Sequence, residues 1–239
     1  MDRRRNLGLG EWKMNELKKL NRILFLSFLF LAAIRSLPAQ ERYVLPVDEG
    51  KKVASFATFR QKLIEAVKIH DEKFILSILD RNIANSFGGG GGIEEFKETW
   101  KINNPKSEFW NEMQAVVSNG GVFSNKYTFA APYSFEKFPQ DLDAFEHQVI
   151  FGSNINLRSK PESSSKLIAQ LSYNVVKVDY EKSVKDKTDE EKYLWLRVET
   201  LGGKKGFVSA KYVRSPIDYR AIFERKNGRW KMTAFIAGD

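Results

Sequence analysis

Five consecutive glycines, Gly88 to Gly92, stand directly before the apolar helical stripe of Ile93, Phe96 and Trp100. Free backbone N–H groups at a helix start can cradle a phosphate. The residues that follow oppose that chemistry. A phosphate loop needs Lys and then Ser or Thr straight after its last glycine, whereas Ile93-Glu94-Glu95 stands there and its carboxylates repel an anion. The dinucleotide-binding pattern begun at Gly88 fails at Ile93, where its third glycine belongs. The run therefore reads as a flexible or tightly turning loop. Glu94, Glu95 and Glu98 lie about one helical turn apart, a grouping that glycoside hydrolysis could use, but a solvated charged face is its commoner meaning. The two histidines, His70 and His147, fall at a helix end and at a strand entry, and there is no cysteine. No pair has metal-ligand spacing, no glycine elbow presents a serine, and no cofactor motif is present. The pattern points to a protein that is not an enzyme.

Aromatic residues carry the remaining chemistry. Tyr173, Tyr180, Tyr193, Trp195, Phe207 and Tyr212 supply more ring area than one small core can hold, and surface rings line grooves for peptides. Tyr173 precedes a turn, Trp195 flanks strand positions, Tyr212 ends the last apolar burst, and Arg158 stands beside the first loop. The candidate ligand-binding residues are Tyr173, Trp195, Tyr212 and Arg158, three rings to stack and a guanidinium to pair with a carboxylate. A structural role suits each of them equally well, because rings more often fill cores than sites.

The elements around these residues are short. Asn156-Leu157-Arg158-Ser159 with Pro161, Leu167-Ile168, Trp195-Leu196-Arg197-Val198, Gly206-Phe207-Val208 and Tyr212-Val213 form five apolar bursts separated by polar turns. Such spacing suits a small closed barrel that covers its own sheet edges. The charged stretch Asp179 to Lys192 reads as a solvated loop between two of the strands. Over residues 145–214 the pattern resembles a bacterial SH3 domain. That resemblance implies a binding module that attaches exported proteins to peptidoglycan, to its stem peptides or to a protein partner. Two positions depart from the family: Asn174 replaces the usual glycine before Val175-Val176 and is expected to take the same left-handed turn, and Phe207 replaces the usual tryptophan after Gly206.

Upstream, residues 40–55 read as a leader arm. From Phe56 the spacing of Phe59, Leu63, Ala66 and Val67 predicts a helix ending near His70, and Asp71 is placed to cap a second one through Leu79. A helix from the Ser107 cap through Val117 stops at Asn119-Gly120-Gly121. Val122-Phe123 and Tyr127 to Ala130 read as strands, and Pro132 to Gln140 as an irregular link. After Pro216, two strand-like runs flank Asn227-Gly228, a strong hairpin signal. The hairpin, residues 215–239, either extends the barrel or completes the sheet of the helix-rich domain, residues 56–144. In the second case that domain is similar to nuclear-transport-factor-2-like folds, the barrel is inserted into it, and a small-molecule pocket or weak catalysis becomes the alternative function. The expected class is α+β: a helix-rich N-terminal domain with a minor sheet, an SH3-like β-barrel and a C-terminal β-hairpin.

Residues 1–39 read as a secretory signal peptide, with Lys18, Lys19 and Arg22 leading into the uncharged run Ile23 to Ile34 and Ala39 before the cleavage point. That run is shorter than a bilayer core requires, so no membrane span is expected after cleavage, and an uncleaved membrane anchor is the alternative. Translation from Met14 would give a more conventional signal. Removing its eight basic and three acidic residues lowers the net charge from +9 to +4. So mild an excess argues against a nucleic-acid partner. With no cysteine for a disulfide or a lipid anchor, the exported chain, periplasmic or secreted, must be held together by its apolar cores.

Overall fold

The computed structural model describes residues 40–86 and 88–238. The expected signal peptide lies outside the described residues. Helix α1 (Ala54–Lys68) buries Phe56, Leu63, Ala66 and Val67 along one stripe. It ends on His70, which takes a left-handed φ of 55° and stacks on Trp110 at 4.7 Å. Asp71 then caps α2 (Glu72–Ile78), its carboxylate accepting the Phe74 N–H at 3.0 Å. α3 (Ile93–Trp100) follows the glycines, and α4 (Glu108–Ser118) is capped by the Ser107 hydroxyl. These helices cover a five-stranded sheet of β1 (Leu79–Ala84), β2 (Val122–Asn125), β3 (Thr128–Ala131), β11 (Arg220–Lys226) and β12 (Arg229–Ile236) in the order β1-β12-β11-β3-β2. Among the described strands of this sheet, β1 and β12 pair parallel and the others antiparallel.

Strand β11 pairs with β3 from Ala221↔Ala131 to Glu224↔Thr128, so the chain leaves this sheet after β3 and re-enters beside it. Everything between is an excursion through a second sheet. Its strands are β4 (His147–Ile150), β5 (Ile155–Arg158), β6 (Leu167–Leu171), β7 (Val175–Lys185), β8 (Tyr193–Thr200), β9 (Lys205–Ser209) and β10 (Val213–Arg214), in the order β10-β4-β7-β8-β9-β5-β6, and the sheet curls into a half-barrel, called the barrel below. The C-terminal hairpin therefore lies at the centre of the first sheet, where Phe223, Trp230, Met232 and Phe235 are buried against the helices. Asn227 and Gly228 turn it with φ of 49° and 78°, the paired left-handed residues a two-residue hairpin needs. A Cβ on Gly228 would meet nothing within 4 Å, so Gly228→Ala is expected to cost about 1 kcal/mol from backbone strain alone. A urea titration showing no loss would contradict this.

Three expectations need correction. The link from Pro132 to Gln140 contains a short helix, α5 (Tyr133–Lys137), held because Tyr133 and Ser134 are buried. The charged stretch from Asp179 is not all loop: β7 continues to Lys185 and pairs with β8 out to Lys185↔Tyr193. Charged side chains are tolerated there because both faces of this hairpin extension meet solvent, as the exposure of Tyr180, Val184 and Leu194 shows. The left-handed residue before Val175 is Tyr173, at φ 59°, and not Asn174. Asn174 is buried instead, its side chain accepting the Ser172 N–H at 2.8 Å and donating to Glu41 at 3.2 Å.

That last contact belongs to the leader arm, which lies along both sheets. The Val44 N–H donates to the Tyr173 carbonyl and the Val175 N–H to the Arg42 carbonyl, both at 2.8 Å. Farther on, the Gly121 N–H donates to the Val47 carbonyl at 3.0 Å and the Glu49 N–H to the Gly121 carbonyl at 2.9 Å. Between these pairs, Val44, Val122, Tyr133, Val149 and Val175 form an apolar cluster that seats the barrel on the first sheet.

At the re-entry point Arg214 donates to the Tyr219 carbonyl at 2.8 Å and faces Glu112 of α4 at 3.8 Å. Burial pushes the Glu112 carboxyl above its usual range, and the pull of Arg214 does not offset it. A raised carboxyl binds its proton more tightly folded than unfolded. Its contribution is therefore complete below the ordinary carboxylate range and is lost as pH rises through the raised value. Glu112→Gln, which cannot ionise, is expected to flatten the fall in melting temperature from weakly acidic to neutral pH. Parallel wild-type and variant profiles would contradict this.

Candidate functional site

Strand β8 alternates, with Leu196, Val198 and Thr200 buried and Tyr193, Trp195 and Arg197 only partly so. Leu196 and Val198 enter the barrel core with Leu157, Val176 and Val208, which leaves Trp195 on the outer face opposite Ser209 of β9. There it lines a groove of about 250 Å3 together with Arg158, Tyr212, Ser209 and Lys211. A 3-10 turn, Ala210–Tyr212, presents Lys211 and Tyr212, and its end is fixed where the Phe151 N–H donates to the Tyr212 carbonyl at 2.7 Å. Arg158 is held by the β5–β6 loop, its guanidinium donating to the Ser165 carbonyl at 2.6 Å. The Ser165 hydroxyl closes that loop on the carbonyls of Lys160 and Glu162, each at 3.0 Å.

Three of the four candidate residues thus share one groove. Tyr173 does not: it lines a different cleft, with Tyr133 and Phe151, because its left-handed backbone turns it toward α5 and the leader arm. The polar wall of the groove, Asn154, Asn156, Ser163 and Ser209, escaped the sequence reading. Of these, Ser209 carried a signal, since it lies two residues beyond Phe207 and hence on the same face of β9, and so did Asn156, two residues before Arg158 on β5.

The groove has a charge preference. Arg158 and Lys211 are on its wall, no Asp or Glu among the described residues is, and the Lys211 ammonium stands 4.8 Å from the Tyr212 ring centroid. Two flat rings flanked by two cations suit a peptide segment bearing a carboxylate. The cleft along β7 and β8 differs, because there Lys182 pairs with Asp179 at 2.6 Å and Lys205 with Glu199 at 3.0 Å.

The features that raised catalytic readings have local explanations. The Glu95 carboxylate faces the glycine loop, where a Cβ on Gly90 would stand 2.8 Å from its oxygen, and Asn85 donates to it at 3.3 Å. A loop closed on a carboxylate is no phosphate cradle. Glu94 pairs with Lys97 at 2.9 Å, and His147 Nδ1 lies 3.0 Å from the Asp143 carbonyl. Between helices and first sheet, Phe56 packs on Phe129 at 4.2 Å and on Trp230 at 4.8 Å, while Phe109 meets Phe235 at 5.5 Å. Rings that a deep pocket would display are there packed against one another.

Residues 153–214 match the family model of the bacterial SH3 domain, from the turn before β5 through β10. This segment is a bacterial SH3 domain, a class of binding module. Strand β4, which pairs β10 with β7, lies outside the match. No curated protein and no solved structure matches the chain. No helix among the described residues is long and apolar enough to cross a membrane.

Proposed function

We propose that this is an exported, non-enzymatic envelope protein whose bacterial SH3 domain holds a peptidoglycan stem peptide in the groove of Arg158, Trp195 and Tyr212. The observation that carries the reading is the outward placement of Trp195 beside Tyr212, with Arg158 and Lys211 as the charged wall. Stem peptides offer the complementary chemistry, an extended backbone with carboxylates. The apolar run Ile23 to Ile34, with its preceding cations, supports export to the compartment where that polymer is found. A peptide segment of a protein partner is the alternative ligand for the same groove. The helix–sheet domain and the leader arm serve as the platform that fixes the barrel.

Pelleting of residues 40–239 with purified sacculi at low and moderate salt tests this reading. Retention that survives moderate salt, and that is lost on deleting residues 145–214, is expected. Retention lost at moderate salt would reduce the interaction to the small positive net charge.

A further inference from the structure

The leader arm, the end of α4 and two turns of the barrel enclose a second cleft, of about 430 Å3, distinct from the Trp195 groove. Its size is that of a small-molecule site. Three aromatic side chains form part of its wall: Tyr133 from α5 and Phe151 and Tyr173 from the barrel turns. The Tyr133 and Phe151 rings lie 5.4 Å apart, tilted by 31°.

The wall of this cleft differs from that of the groove, since its charged side chain is a carboxylate paired with Arg60. Asp48 is on its wall, and so are Ser118 and Asn119 at the carboxyl-terminal, electronegative end of α4. Among the described residues no lysine or arginine lines it. Asp48 is fixed by the Arg60 guanidinium at 2.6 and 2.7 Å and by the Gly50 N–H at 3.0 Å. Burial pushes its carboxyl up, but those contacts together outweigh burial and hold it below the usual carboxylate range. It is ionised at neutral pH.

Two features of the tyrosines bear on what the cleft can bind. Tyr133 is only 3 % exposed, and its hydroxyl, which makes no hydrogen bond with any described residue, keeps contact with solvent. Burial, and then the neighbouring Tyr173, push its ionisation up to about 12, so it stays neutral. Tyr173 occupies a left-handed position, φ 59°, that glycine takes freely and a bulky side chain takes at a cost of about 1 kcal/mol. Its ring belongs to none of the three apolar clusters and lines the cleft instead.

We propose that this cleft is a binding site for an alkylammonium group, seated against the aromatic wall of Phe151 and Tyr173, beside the Tyr133 hydroxyl and facing the Asp48 carboxylate. Cation–ring attraction is strongest where the ammonium is desolvated, which a half-enclosed cleft provides. The unpartnered Tyr133 hydroxyl accepts one of the ammonium protons. The ammonium can come from a free amine or from a diamino-acid side chain on a peptide. This site is independent of the groove and survives if the reading of the groove fails.

The test is an NMR titration of isotope-labelled residues 40–239 with three probes: n-butylamine, N-acetyl-lysine amide and its uncharged counterpart N-acetyl-norleucine amide. Shifts at Gly120, Gly152 and Tyr173 with a charged probe are expected, at least about tenfold tighter than with the norleucine derivative. Binding of both charged probes assigns the site to the amine itself, and binding of the lysine derivative alone assigns it to a peptide-borne amine. Tyr173→Gly removes the ring while relieving the backbone, so it should melt no lower than wild type and lose at least about tenfold in affinity. Tyr133→Phe keeps the ring, provides a second variant should Tyr173→Gly fold poorly, and should weaken binding by several-fold. Trp195→Ala should leave amine binding unchanged. Equal binding of the norleucine derivative, absence of shifts with every probe, or undiminished affinity in both tyrosine variants would overturn the proposal.

Discussion

Trp195→Ala is expected to leave the protein folded, with a melting temperature close to wild type, and to abolish salt-resistant retention on sacculi. The two halves of that result follow from the alternation of β8. Leu196 and Val198, one residue to either side of Arg197, are within the barrel core, whereas Trp195 looks outward with Ser209 and the Tyr212 turn. Removing it opens no internal cavity. It does remove the largest flat surface of the groove, and a central aromatic contact contributes about 2 kcal/mol or more to such interfaces, a loss on the order of thirtyfold in affinity. Melting and pelleting of the same preparation separate the outcomes. A collapsed melting temperature would place the ring in the core, and unchanged pelleting would move the binding face elsewhere.

The second large effect concerns the platform. Phe56→Ala is expected to destabilise the protein by about 4 kcal/mol, the usual loss for a fully buried ring. Phe56 is the hub of a ring cluster: Phe59, Phe123, Phe129, Phe223 and Trp230 all lie within 5.9 Å of it, centroid to centroid. Those partners come from α1, β2, β3, β11 and β12, so the cavity would touch most of the first sheet. The Trp230 indole, which donates to Ser55 at 3.2 Å, would lose its packing as well. Because Val44, Val122, Tyr133, Val149 and Val175 join the two sheets, the loss should appear as a single cooperative transition in urea, at lower midpoint and unchanged slope. Two separated transitions would show that the barrel is energetically independent of the sheet that carries it.

Much of this architecture was legible in the sequence, for identifiable reasons. Helical stripes such as Phe56, Leu63 and Val67 repeat often enough to be unambiguous, and caps such as Asp71 and Ser107 announce themselves by residue type. Asn227-Gly228 likewise admits few conformations. Strand β1 was not legible, because Leu79-Asp80-Arg81-Asn82-Ile83-Ala84 buries Leu79 and Ile83 at a helix-like spacing and owes its extended form to pairing with β12. Tyr173 was not legible as the left-handed residue either, since asparagine tolerates that conformation far better. Here the hydrogen bonds of Asn174 to Glu41 and Ser172 hold the asparagine in place and leave the turn to its neighbour. For the groove, ring and guanidinium types could be picked out, but not which of them converge. The 3-10 turn before β10 decides that for Tyr212, and the leader arm and α5 draw Tyr173 to the other cleft.

The central claim, that the Trp195 face of the barrel takes a wall peptide, is tested most directly by titrating isotope-labelled residues 40–239 with soluble muropeptides and following the Trp195 indole N–H by NMR. The account predicts that this resonance shifts together with the amides of Arg158, Ser209 and Tyr212, and that the shifts vanish in Trp195→Ala. Shifts confined to other surfaces, or none at saturating muropeptide, would contradict it.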